Sequence, residues 1–157
     1  MSSVDDQRAS DDELVARWGG DDGDGIGCLT VTARSSGFGG SAQAWFVREA
    51  VLEFAAALER FPLTDDDPPT LSGGYGAHAE YDEYVGLVVA PLGARGQVDV
   101  RLHLVDDTWS HGRPEGRYET HMHILTTYQR LAAFAGALGA VVRGGLDEAV
   151  LGGERLA

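Results

Sequence analysis

Residues 83 to 105, EYVGLVVAPLGARGQVDVRLHLV, place two apolar runs on either side of a glycine-containing turn, and this restricts the chain more than any other segment does. In the second arm Val98, Val100, Leu102 and Leu104 alternate with Gln97, Asp99, Arg101 and His103. A period of two is the signature of a strand with one apolar and one polar face. Strands of that kind belong to an antiparallel sheet covered on one side and wet on the other. The hairpin therefore predicts a scaffold, but it supplies no chemistry.

The remaining elements follow from pattern and punctuation. Residues 1 to 12 are acidic and aperiodic and are expected to be disordered. Glu13 to Trp18 fits either an edge strand or a helical turn, and GGDDGDGIG after it reads as a turn. Ile26 to Arg34 and Phe38 to Phe46 form a hairpin across SSG, with a bulge or close backbone approach expected near Gly39. A helix is expected from Arg48 to Phe61, with Val47, Val51, Phe54, Leu58 and Phe61 as its apolar stripe and Pro62 as its stop. The acidic loop TDDDPP leads to a strand from Thr70 to Tyr75, and residues 76 to 84 have no clear pattern. Residues 106 to 116 form a loop containing Trp109. Tyr118, Thr120, Met122 and Ile124 then alternate with Arg117, Glu119, His121 and His123 to give the last strand. Thr126 and Gln129 have capping-box spacing ahead of a helix carrying Leu131, Phe134, Leu138 and Val141 or Val142, which Gly144 and Gly145 end. Residues 146 to 151, LDEAVL, read as one further turn, and residues 152 to 157 as a frayed end. No internal repeat is visible. The expectation is one α+β domain over residues 13 to 151, an antiparallel sheet of about six strands with two helices packed on one face.

Composition excludes several functions. All twelve basic residues are arginine and the formal net charge is -13, so a nucleic-acid partner is not expected. An acidic exterior repels anionic lipid as well. The first 24 residues alone contribute -6. No basic segment precedes an apolar run, and no stretch nears the ~20 apolar residues of a membrane span, so a cytoplasmic chain is expected. The single cysteine, Cys28, reads as a strand residue.

Without lysine there is no Walker loop, Schiff-base lysine or SxxK nucleophile. GFGG and GGYG lack dinucleotide spacing and read as turns or bulges. In DGDGIG, Ile26 and Ala33 stand where a calcium loop needs oxygen ligands. Ser72 lacks the first glycine of a nucleophile elbow. The one metal candidate is His103 with His121 and His123, which share the polar face of two strands. Asp99, Arg101, Arg117 and Glu119 belong to the same face, so an ordinary surface of paired charges also accounts for it. Neither a cofactor nor catalysis is expected. Asp65, Asp66, Asp67, Asp106 and Asp107, with Tyr75 and Trp109 as aromatic anchors, are the candidate contacts for a protein partner.

The order of elements, with LSGGY before VGLVVAPLGARGQVDVRLHL and then ILTTYQRLAAFAGALGAVV, resembles a family of small actinobacterial proteins related to the WapI-like immunity proteins. The likeness spans roughly residues 26 to 143. It implies an acidic α+β domain that neutralises a toxin domain by covering it, without catalysis, and it assigns no role to any single residue. A basic toxin domain is the partner that the charge suits. The alternatives are a metal-dependent hydrolase using His103, His121 and His123, or a small-ligand domain using the concave side of the sheet.

Overall fold

The computed structural model describes residues 12–21, 23–74, 83–107 and 117–154, the side chains of Asp107 and Arg117 excepted. The described elements are β1 (Glu13–Gly19), β2 (Ile26–Ser35), β3 (Phe38–Val47), α1 (Arg48–Leu58), β4 (Thr70–Gly73), β5 (Val85–Leu92), β6 (Gln97–Asp107), β7 (Arg117–Thr127), α2 (Tyr128–Val142) and β8 (Ala149–Gly152). The class is α+β and all pairing among the described strands is antiparallel, as expected. The single sheet of about six strands is not found. Instead eight described strands form two four-stranded sheets, β3-β2-β1-β8 and β4-β5-β6-β7. The first sheet ends at β3 because the chain passes from Val47 directly into α1 and returns as β4 against β5.

Read outward from β8 and from β4, the two sheets have the same plan. Three consecutive antiparallel strands lead into a helix, β1-β2-β3-α1 and β5-β6-β7-α2, and a short strand follows each helix. Each short strand joins the other unit's sheet: β4 pairs with β5, and β8 pairs with β1. The chain thus contains the internal repeat that the sequence concealed. Phe54, Ala55, Leu58, Leu71 and Gly73 stand at one constant offset from Phe134, Ala135, Leu138, Leu151 and Gly153. The ends of the exchanged strands are tied at corresponding places, Trp45 N–H to the Gly74 carbonyl and Glu154 N–H to the Leu125 carbonyl.

Periodicity explains which face each strand buries. In the first sheet Leu14, Ala16, Leu29, Val31, Ala33, Ala42, Ala44, Phe46, Ala149 and Leu151 point inward. In the second, Val85, Leu87, Val89, Val98, Val100, Leu102, Leu104, Met122 and Ile124 do so. The helices pack on one another and add Val51, Phe54, Leu58, Leu131, Phe134 and Leu138 to the same core. Burying each large apolar side chain fully is worth roughly 1.5–3 kcal/mol, so the core carries the fold. The two sheets approach closely where β3 crosses β7, since a Cβ on Gly40 would lie 2.9 Å from Thr120 Cγ2.

Several local expectations are corrected. Glu13–Gly19 is an interior strand between β2 and β8, neither an edge strand nor a helical turn. Arg34–Gly39 pairing is continuous, so of the two features expected near Gly39 the bulge is not found, while the close approach is, at Gly40 against β7. Ser36 and Gly37, with φ of 53° and 85°, make the tight turn instead, as the right-handed strand twist favours. Phe61 lies beyond α1 and is 76% exposed, its ring edge-on to Tyr128 at 4.8 Å. The cap of α2 is Thr127, whose hydroxyl accepts from Arg130 N–H, while Thr126 donates to the Gly152 carbonyl. Residues 149 to 152 are strand, not helical turn. No described helix is long and apolar enough to cross a membrane.

The start of α1 is held by charge. Arg48 donates through Nε (3.1 Å) and Nη2 to Asp21 Oδ2, and Gly23 N–H donates to Asp21 Oδ1 at 2.8 Å. The Arg48 hydrogen bond, and after it the Gly23 amide, hold the Asp21 carboxyl below the usual carboxylate range. A carboxyl depressed on folding stabilises the chain above its unfolded pKa, ~3.9, and that contribution is lost as pH falls through the folded value. Asp21→Asn is therefore expected to lower the Tm near neutral pH, with the gap to wild type narrowing as acid protonates the Asp21 carboxyl of the folded chain. Thermal melts from neutral to acidic pH check it, and a gap that does not narrow in acid contradicts it.

Candidate functional site

The outward face of the second sheet carries the densest titratable cluster among the described residues. Pairing fixes one row across four strands: Ser72 on β4 faces Gly86 on β5, Gly86 faces His103 on β6, and His103 faces His121 on β7. The period of two keeps Glu119 on the same face as His121. Glu83, just before β5, folds its carboxylate back over Gly86, where an added Cβ would lie 2.0 Å from Oε1. Glycine is required at position 86 for that carboxylate to occupy the row.

The hydrogen bonds run through the row in sequence. The Ser72 hydroxyl donates to Glu83 Oε2, His103 Nδ1–H to Glu83 Oε1 at 2.8 Å, and His103 Nε2–H to Glu119 Oε1 at 2.6 Å. His121 Nε2 lies 3.6 Å from the same Glu119 oxygen, and its ring stacks on that of His103 with centroids 4.2 Å apart and planes 5° apart. Carboxylates only accept, so a ring nitrogen facing each of them calls for the imidazolium form of His103. Burial favours the neutral ring, but the hydrogen bonds to Glu119 and Glu83 and the charges of both outweigh it, and the His103 pKa lies above its ordinary value.

His123 is not part of this row. It faces Arg101, and its Nδ1 is 2.9 Å from Asp99 Oδ1, while Arg101 Nε donates to Asp99 Oδ2 at 3.1 Å. Asp99 is buried and has both oxygens satisfied. Of the three candidate histidines, the structure therefore brings two together and engages the third elsewhere. Glu83 and Ser72 complete the row without having been placed there by sequence reasoning. A glycine inside an apolar strand, Gly86, was the one signal of a group approaching from outside.

The acidic candidates are dispersed. Asp65, Asp66 and Asp67 are exposed in the loop that enters β4 at Thr70, and Asp67 lies 3.9 Å from Arg60. Asp106 is exposed beyond the opposite end of the β4–β5 pairing, near Val85 and Leu104. Asp107 is in β6, though its side chain is outside the described residues, as are Tyr75 and Trp109 altogether. On the outward face of the first sheet, Ile26, Trp45 and Val47 form an exposed apolar group; Val47, expected in the buried stripe of α1, is instead the last residue of β3 and 50% exposed, because its side chain points to the outer side of the strand. Cys28, opposite Trp45, is half-buried, and burial pushes its thiol pKa up, which makes it a poor nucleophile. No protein-family model, curated protein or solved structure significantly matches this chain.

Proposed function

We propose that this chain is a non-catalytic, immunity-type binding protein that neutralises a cationic toxin domain by covering it. The observation carrying this reading is the charge: -13 over 157 residues, with arginine as the only basic side chain other than histidine and with Asp65 to Asp67 open to solvent. Such an exterior draws in a positively charged partner and orients it before contact. The aromatic and aliphatic group of Ile26, Trp45 and Val47 offers the desolvated centre that a binding surface needs inside a polar rim. A hydrolase built on His103, His121 and His123 has less support, because His123, though on the same face, stands opposite Arg101 and is paired with Asp99. A ligand site on the inner face of either sheet has less again, because those faces are filled by the core.

The test is co-expression with cationic toxin domains, beginning with the C-terminal domain of any secreted protein whose gene adjoins this one. Rescue of growth and a stable complex on gel filtration are expected. Replacing Asp65, Asp66 and Asp67 together by asparagine should slow association about tenfold at low salt and leave the Tm within about 2 °C, because exposed charges steer encounter more than they stabilise folding. Failure to bind or silence any of these domains removes the proposal.

A further inference from the structure

We propose that His103 Nε2, the Glu119 carboxylate and His121 Nε2 form a site for one divalent transition-metal ion such as zinc on the open face of the second sheet. This goes beyond the binding role above and does not depend on it. The three donor atoms lie within 4.8 Å of one another. Zinc–ligand bonds of about 2.0–2.1 Å place tetrahedral donors roughly 3.3 Å apart, so the set closes when the exposed His121 ring rotates out of its parallel stack on His103 and its Nε2 moves in by about an ångström. Two imidazole donors select zinc-like ions over calcium or magnesium. Three protein ligands leave a fourth position for water on the solvent side.

The surroundings resemble a built site more than a chance surface pairing. A metal-bound histidine ordinarily gives its other N–H to a carboxylate, which fixes the ring and raises its basicity. Here Glu83 receives Nδ1–H of His103, Ser72 holds Glu83, and Gly86 provides the slot in which Glu83 lies. On binding, the ion replaces the Nε2 proton that His103 gives to Glu119, and that proton passes to solvent. The fold does not itself demand this cluster. The outward face of the twin sheet has no histidine, and the two of its rows that reach β8 are Val150, Val15, Thr32 and Ser41, then Gly152, Glu13, Arg34 and Gly39. In the second of those rows the cross-strand link is a single Arg34–Glu13 ion pair of 2.9 Å.

Titrating zinc chloride into the full chain by calorimetry, at neutral pH in a non-chelating buffer, is expected to give saturable binding of one ion per chain. His121→Ala, at a largely exposed side chain, and Glu119→Gln should each weaken it roughly tenfold or more. Gly86→Ala pushes the Glu83 carboxylate off His103 and should weaken binding about 10–100-fold with all three ligands present, an effect that surface charge alone would not produce. His123→Ala should leave affinity unchanged. Absence of saturable binding, or binding that survives removal of both His103 and His121, overturns the proposal.

Discussion

Leu151→Ala is expected to destabilise the chain by about 2–5 kcal/mol, whereas Val150→Ala beside it should cost less than about 0.5 kcal/mol. Leu151 is 1% exposed and faces Leu14 across the β8–β1 pairing, while Val150 is 46% exposed on the other face. The contrast is a property of strand geometry, in which neighbours point to opposite sides. It also tests the exchange of short strands between units, because β8 is what covers the β1 side of the first sheet. Urea titration of both variants gives the comparison. Equal small losses would mean that residues 149 to 152 do not dock as a strand.

Phe134→Ala should cost about 3–5 kcal/mol, the range for an aromatic ring removed from a close-packed core. For a domain of this size each kcal/mol moves the Tm by about 2–4 °C, so a fall on the order of 10 °C is expected. Phe134 is 3% exposed on α2, and so is Phe54 at the matching place on α1. Phe54→Ala should therefore give a loss of similar size. A much smaller effect at one of them would show that the two units do not share the core equally.

How much of this could be read from the chain depended on segment length. β6 and β7 are each eleven residues long, so their alternation repeated often enough to be unambiguous, and it placed His103, His121 and His123 on one face correctly. β8 has four residues, too few to show any period, and it was mistaken for helix. β1 was undecided because ELVARW is short and Trp18 is only partly buried. The repeat was hidden because the strands of the two units carry different residues, and only the helix stripe and the Leu-x-Gly of the short strands still match. The row at His103 was half visible. The histidines follow from alternation, but Glu83 reaches them from outside any strand, and its proximity depends on pairing between strands distant in the chain.

The duplication also bears on function. One architecture supports two outward faces, one with ordinary ion pairs and an exposed Ile26–Trp45–Val47 group, the other with the histidine and carboxylate row. Neither face is needed to bury the core, so both are available for contacts with other molecules.

If the negatively charged exterior captures a positively charged partner, as proposed, the association rate must depend on ionic strength. Raising salt from about 50 to 300 mM should slow association by roughly tenfold or more while dissociation changes little, as steering by charge requires. An association rate unaffected by salt would contradict the account.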